Sequence, residues 1–171
     1  MKKLLILSAI LVCGAANAFA QSYVVVNTET IFKAIPEYAA AVEEIDKLAQ
    51  QYQNNIDAAY EKIEEMYDQY MYEKSSLSSA QQQSREETIL NNEKKVLEYQ
   101  EGVFGTDGII DKKTTEKLDP IQKKVMDTIT KFAKDNGYTL VLDIATNPMV
   151  IYYSPEADKT NQIIALVTQK Q

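Results

Sequence analysis

The side chains in this sequence that could do chemistry are tyrosines, methionines and carboxylates. The 171 residues include no histidine, no tryptophan and one cysteine, Cys13. Without histidine the chain lacks the usual general base and the usual transition-metal ligand, and its single thiol lies in an apolar N-terminal stretch. What remains is concentrated. Tyr52, Tyr60, Met66, Tyr67, Tyr70, Met71 and Tyr72 fall close together. Tyrosine offers a large apolar face with a polar tip, and methionine is flexible and polarizable. The chemistry they suit is non-covalent: adaptable apolar contact with many shapes, kept in solution by surrounding charge. The same residues, at helical spacing, could instead line the seam between two helices. For Ile45, Leu48, Ile56 and Ile63 the seam is the favoured reading, and for the Tyr/Met group both readings stand. Thr106-Asp107-Gly108 with Asp111 lacks the full spacing of a calcium loop, so no metal and no cofactor is expected. No two carboxylates are placed in a pocket of the kind that glycoside hydrolysis needs. The expectation is a binding protein rather than an enzyme.

Long helices must position these residues. From Glu37 to Lys74 there is no glycine or proline, and Ile45, Leu48, Tyr52, Ile56, Tyr60, Ile63, Tyr67 and Tyr70 recur at steps of three and four. That is the helical period of about 3.6, and such a helix is roughly 57 Å long. Pro36 fits its first turn, where a missing N–H costs nothing. Ser75-Ser76-Leu77-Ser78-Ser79 reads as a turn. Ala80 to Gln100 then reads as a returning helix with sparse apolar positions at Ile89, Leu90, Val96, Leu97 and Tyr99. A short turn between long helices implies an antiparallel hairpin. Gly102, Gly105 and Gly108 interrupt the return and are expected to act as a hinge. Helix resumes near Ile109, is expected to kink or restart at Pro120, and stops at Asn136-Gly137.

The rest is a small body. Tyr23 to Asn27 reads as a strand, followed by a short helical turn capped by Thr28 or Thr30. Tyr138–Asp143 and Val150–Tyr153 read as two strands joined through Asn147-Pro148, and Thr160 as the cap of a last helix. The fold class is α+β: a small antiparallel β body with a long antiparallel α-helical hairpin inserted between strand 1 and strands 2–3. The divisions are 1–20, 21–35, 36–120 and 121–171, with the hairpin turn near 75–79 and the break at 102–108. The body amounts to about 64 residues, a size at which a lone core is marginal. Its strands would also leave open edges. Oligomerisation through Val24, Val25, Val26, Leu140, Val141, Leu142, Ile151 and Tyr152 would relieve both problems.

Residues 1–20 read as a cleaved secretory signal: a Lys2-Lys3 start, an apolar run from Leu4 to Ala16, and Ala18-Phe19-Ala20 before Gln21. Lysines at the start of so short a signal look bacterial, which places the mature chain in a periplasm. Val12 before Cys13 disfavours a lipid anchor. Loss of Lys2 and Lys3 takes the formal charge from −7 to −9. An acidic chain without a basic cluster is a poor nucleic-acid binder, and membrane contact is expected to be indirect or weak.

The Tyr23-Val24-Val25-Val26-Asn27 strand with Ile31-Phe32 resembles the start of the Skp/OmpH periplasmic chaperones. Gly137 to Asp143, Val150 to Ser154, the Phe104-Gly105-x-x-Gly108 break and the terminal helix are similar too, in matching order along the whole mature chain. The resemblance implies a homotrimer. Strands of three subunits would form the body, and three hairpins would project as tentacles around a cavity. It implies an ATP-independent holdase for unfolded outer-membrane β-barrel proteins. The chain departs from the family in charge. Glu37 to Lys74 carries ten acids against Lys47, Lys62 and Lys74, where the tentacles of the best-studied members are strongly basic. No residues match a basic cluster for lipopolysaccharide, so no such site is carried over. The alternative is a structural coiled-coil envelope protein binding a single folded partner. Its mark would be regular heptads along both helices, against which the sparse apolar content of residues 80–100 speaks.

Overall fold

The computed structural model describes residues 23–169; the expected signal segment and Cys13 lie outside them. The elements are β1 (Tyr23–Val26), α1 (Thr28–Lys33), α2 (Pro36–Glu73), a 3-10 turn (Lys74–Ser76), α3 (Ser79–Phe104), α4 (Ile109–Asp135), β2 (Leu140–Asp143), a second 3-10 turn (Pro155–Ala157) and α5 (Thr160–Thr168). Two compact units divide the chain, Glu37–Ile121 and the segments on either side of it.

In the flanking unit the two strands pair in parallel, with Tyr23 opposite Leu140 and Val26 opposite Asp143. This corrects the expected antiparallel body. The physical reason is written in β1: Val24, Val25 and Val26 are all buried, with no alternation between faces. Continuous burial belongs to a parallel strand covered on both faces, and a parallel pair needs a long crossover, which the helices supply. Lys159 N–H donates to the Val25 carbonyl at 2.9 Å, and Ile144 N–H to that of Val26 at 2.8 Å. The core also takes in Ile31, Val125, Ile129, Ala157, Ile163 and Val167.

The third strand does not form. Residues 151–154 have no regular structure, so the expected hairpin through Asn147-Pro148 is also corrected. Asp143 ends β2 by turning the chain. Its carboxylate accepts the Thr28 N–H, the Thr28 hydroxyl and the Ala145 N–H, which draws residue 145 away from a second antiparallel strand. Two cap assignments change as well. Asn27, not Thr28 or Thr30, caps α1 by accepting the Thr30 N–H at 2.8 Å. Thr160 is the first residue of α5, and its hydroxyl instead accepts the Asn27 N–H at 2.9 Å.

In the other unit α2 runs unbroken for 38 residues, and a capping box of Ser78 with Gln81 starts α3. The break is narrower than expected. Gly102 lies inside α3, and only Gly105 to Gly108 interrupt the return. A Cβ on Gly105 would stand 2.5 Å from the Glu101 carbonyl oxygen, and one on Gly108 would stand 2.7 Å from those of Gly105 and Val103. Helix α4 continues through Pro120 without a break, against the expected restart.

Candidate functional site

Two heptad rows join α2 to α3. Ile56, Ile63 and Tyr70 are buried on α2, and Ile89, Val96 and Val103 on α3, each row at intervals of seven. Ala59, Met66 and Leu77 pack against this seam. A repeat of seven keeps one narrow stripe of each helix facing the other. Nearer the start of α2, Ala41 and Ile45 pack with Leu118 of α4, and Lys117 bridges to Glu44 at 2.7 Å.

The tip is knitted by polar contacts. Tyr70 is only 2% exposed and its hydroxyl donates to Glu86. That hydrogen bond raises the Tyr70 pKa, and burial adds to the rise. Lys74 sits 5.0 Å from the centre of the Tyr70 ring and 3.7 Å from Glu86, while Arg85 reaches Glu73 at 3.3 Å. Tyr70 is therefore a seam residue, which corrects its place among the candidate contact residues.

The other candidates separate onto different faces. Met66 is half-buried beside the seam, where Asn92 Nδ2 donates to its sulfur at 3.5 Å. Tyr52 is partly covered, its ring centre 6.2 Å from that of Tyr99. Met66 belongs to an open groove of about 340 Å³ lined by Ala59, Lys62, Ile63, Asn92, Lys95 and Val96, among others. Tyr60, Tyr67 and Met71 are exposed on the opposite flank of the seam. Tyr72 is 89% exposed and lies off both flanks.

Sequence reasoning missed the partners of Tyr60 and Tyr67. Leu90, Leu97 and Phe104 are exposed large apolar residues on α3, again seven apart. Each follows a buried seam residue by one position, a rotation of about 100° on a helix. Two antiparallel helices facing each other turn their increasing angles to the same side. The Leu90 row therefore shares a face of the hairpin with Tyr60, Tyr67 and Met71. With Tyr70 opposite Glu86 and Met66 opposite Asn92, the register brings Tyr67 to the level of Leu90 and Tyr60 to that of Leu97. The face is a ladder of apolar rungs spaced about 10.5 Å apart. The signal was present in the sequence as a double row, Ile89-Leu90 and Val96-Leu97, seven apart. One row of it suffices for the seam. The seam also carries the regular heptads that the sparse apolar content of residues 80–100 had seemed to exclude.

Among the described residues no cluster of acids or thiols could hold a metal ion, and no helix is long and apolar enough to cross a membrane. The two-helix hairpin carries an uncovered apolar face, a surface suited to contact with another chain. The model of the outer membrane protein (OmpH-like) family matches residues 22–167. The chain belongs to the OmpH-like family, and with it to the chaperones of the Skp/OmpH kind. Among solved structures it is similar to a proposed outer membrane chaperone (OmpH-like) from Caulobacter crescentus CB15. The TM-score is 0.63 at 9% identity over 86% of this chain and 84% of that one, a likeness of fold. No curated protein sequence matches.

Proposed function

We propose that the mature protein is an ATP-independent periplasmic holdase that keeps unfolded outer-membrane β-barrel proteins from aggregating. The observation that carries this reading is the exposed ladder of Tyr60, Tyr67, Met71, Leu90, Leu97 and Phe104. A rod whose only task is to hold its own two helices together needs the seam and nothing more. A second apolar row, left open on both helices, is a surface for something else. Tyrosine, methionine and leucine side chains adjust to clients of many sequences, which favours a holdase over a rod fitted to one folded partner. Tyr72 adds an exposed ring near the tip. Gly105 to Gly108 form the point at which the hairpin flexes around a client.

Assembly as a homotrimer through the flanking unit belongs to the same reading. Ile151 and Tyr152 are 97% and 83% exposed in the single chain, and Leu140 is exposed on β2. An exposed apolar segment without regular structure and the open edge of a two-stranded sheet are both suited to pairing with another subunit.

The test is light scattering of an unfolded outer-membrane β-barrel protein diluted from denaturant, without nucleotide. Stoichiometric mature protein is expected to suppress the rise in scattering. A Leu90→Gln/Leu97→Gln variant, changed only at exposed positions, is expected to lose most of that suppression while staying folded. If the wild type gives no suppression, the holdase reading is wrong. If the variant protects as well as the wild type, the ladder is not the grip.

A further inference from the structure

The ladder is fringed by acid on both helices. On α2, Asp57, Tyr60, Glu64 and Tyr67 follow one another at steps of three and four, as do Glu64, Asp68 and Met71. On α3 the same steps connect Glu86, Leu90, Glu93, Leu97, Glu101 and Phe104. Residues three or four apart adjoin on a helix surface, so acidic side chains border the rungs along both edges of this face; the cations at the same steps are Lys94, tied to Glu98 at 3.7 Å, and Lys74, shared with Glu86 and Tyr70. Among the described residues Asp57, Glu64, Asp68, Glu93 and Glu101 form no ion pair; Asp57 accepts the Gln53 amide at 2.7 Å, and Glu86 is shared with Lys74 and Tyr70. The opposite face mixes the signs, with Glu65 three residues from Lys62 and Glu98 three from Lys95. Its groove is bordered by Lys62 and Lys95, neither in an ion pair, and Arg85 stands there with Glu73. The acidic fringe is thus a property of the apolar face and not of the hairpin all round.

We infer that this face selects polypeptide segments in which aromatic or aliphatic residues alternate with lysine or arginine. The inference rests on the holdase reading and names the chemistry of the client. The apolar rungs supply contact that is indifferent to charge. The unpaired carboxylates lie within about a Debye length of any chain seated on the rungs, so they attract cationic side chains and repel anionic ones. They keep their own hydration at the rim, which avoids the desolvation that makes buried ion pairs expensive. A second copy of the hairpin is a poor occupant, because it would set one acidic fringe against another.

The experiment compares two labelled peptides of equal length with the same alternating aromatic and polar pattern. One carries lysine at the polar positions and the other glutamate. Binding to the mature protein is followed by fluorescence anisotropy at low and at raised salt. The lysine peptide is expected to bind at least about tenfold more tightly at low salt, and the gap should narrow as salt rises. An Asp57→Asn/Glu64→Gln/Asp68→Asn variant, isosteric and confined to exposed positions, should close most of that gap and still suppress client aggregation. Leu90→Gln/Leu97→Gln should weaken both peptides. Equal affinities at low salt, or an unchanged gap in the triple variant, would overturn charge selection and leave the holdase reading standing. Failure of the wild type to suppress aggregation would overturn both. Self-association that grows with concentration and disappears in Leu90→Gln/Leu97→Gln would assign the face to a second copy and overturn the inference.

Discussion

Asp143 shows how much of the flanking unit hangs on one carboxylate. It accepts from the Thr28 N–H at 3.1 Å, the Thr28 hydroxyl at 2.6 Å, the Ala145 N–H at 3.0 Å and the Thr146 hydroxyl at 3.1 Å. One side chain thus ends β2, shapes the turn after it and ties both to the first residue of α1. Burial alone would push its pKa up, but these hydrogen bonds outweigh burial and hold it below the ordinary value of 3.8. A lowered folded-state pKa means stabilisation that is whole at neutral pH and is lost as pH falls through that lowered value. Asp143→Asn keeps one carbonyl acceptor but presents an amide donor to the two hydroxyls. It should cost about 1–3 kcal/mol at pH 7, since the charge-assisted hydrogen bonds from Thr28 and Ala145 are weakened or lost. In urea unfolding the gap between the two proteins should shrink as pH drops below 3.8. A gap constant with pH would mean that the carboxylate charge is not what the network uses.

At the scale of elements, Gly105 and Gly108 are the positions where the return helix demands glycine, and Gly102 is not. An alanine Cβ at Gly105 or Gly108 would meet backbone carbonyl oxygens, which cannot swing aside as a side-chain end can. Each substitution should cost about 1–3 kcal/mol. Gly102 has nothing within 4 Å of its would-be Cβ and sits in helix, so Gly102→Ala should stabilise by up to about 1 kcal/mol. Thermal melts of the three variants check this, and an equal fall in all three would mean that the whole of 102–108 acts as one loop. The three glycines look alike in sequence because their spacing carries no record of which carbonyl lies nearby. The helices themselves were legible, from the step of three and four and from the serines at the turn. Strand direction was legible in Val24-Val25-Val26, an apolar run with no alternation between faces. Which tyrosines face the seam was not legible. Tyr67 and Tyr70 are one helical turn apart, and only the register with Glu86 and Leu90 places one inside and the other out.

At the scale of the molecule, the apolar residues named for assembly now separate by what they do in a single chain. Val24, Val25 and Val26 are core, Val141 and Leu142 half-buried, and Leu140, Ile151 and Tyr152 exposed. Val25→Asp would therefore unfold the unit whether or not subunits associate, and it says nothing about assembly. Ile151 and Tyr152 are almost fully exposed in the single chain, so Ile151→Asp and Tyr152→Asp should act only through a contact between chains. The double variant is expected to keep the far-UV circular dichroism of the wild type while its mass by multi-angle light scattering falls from that of three chains to that of one. Exposed apolar side chains of this size contribute about 1.5–3 kcal/mol each when fully covered, and a trimer covers three copies of each, enough to move the equilibrium at micromolar concentration. A variant that retains the wild-type mass would place the subunit contact elsewhere. A wild type that runs as a monomer would show that the flanking unit is stable alone, with Ile151 and Tyr152 open to other partners.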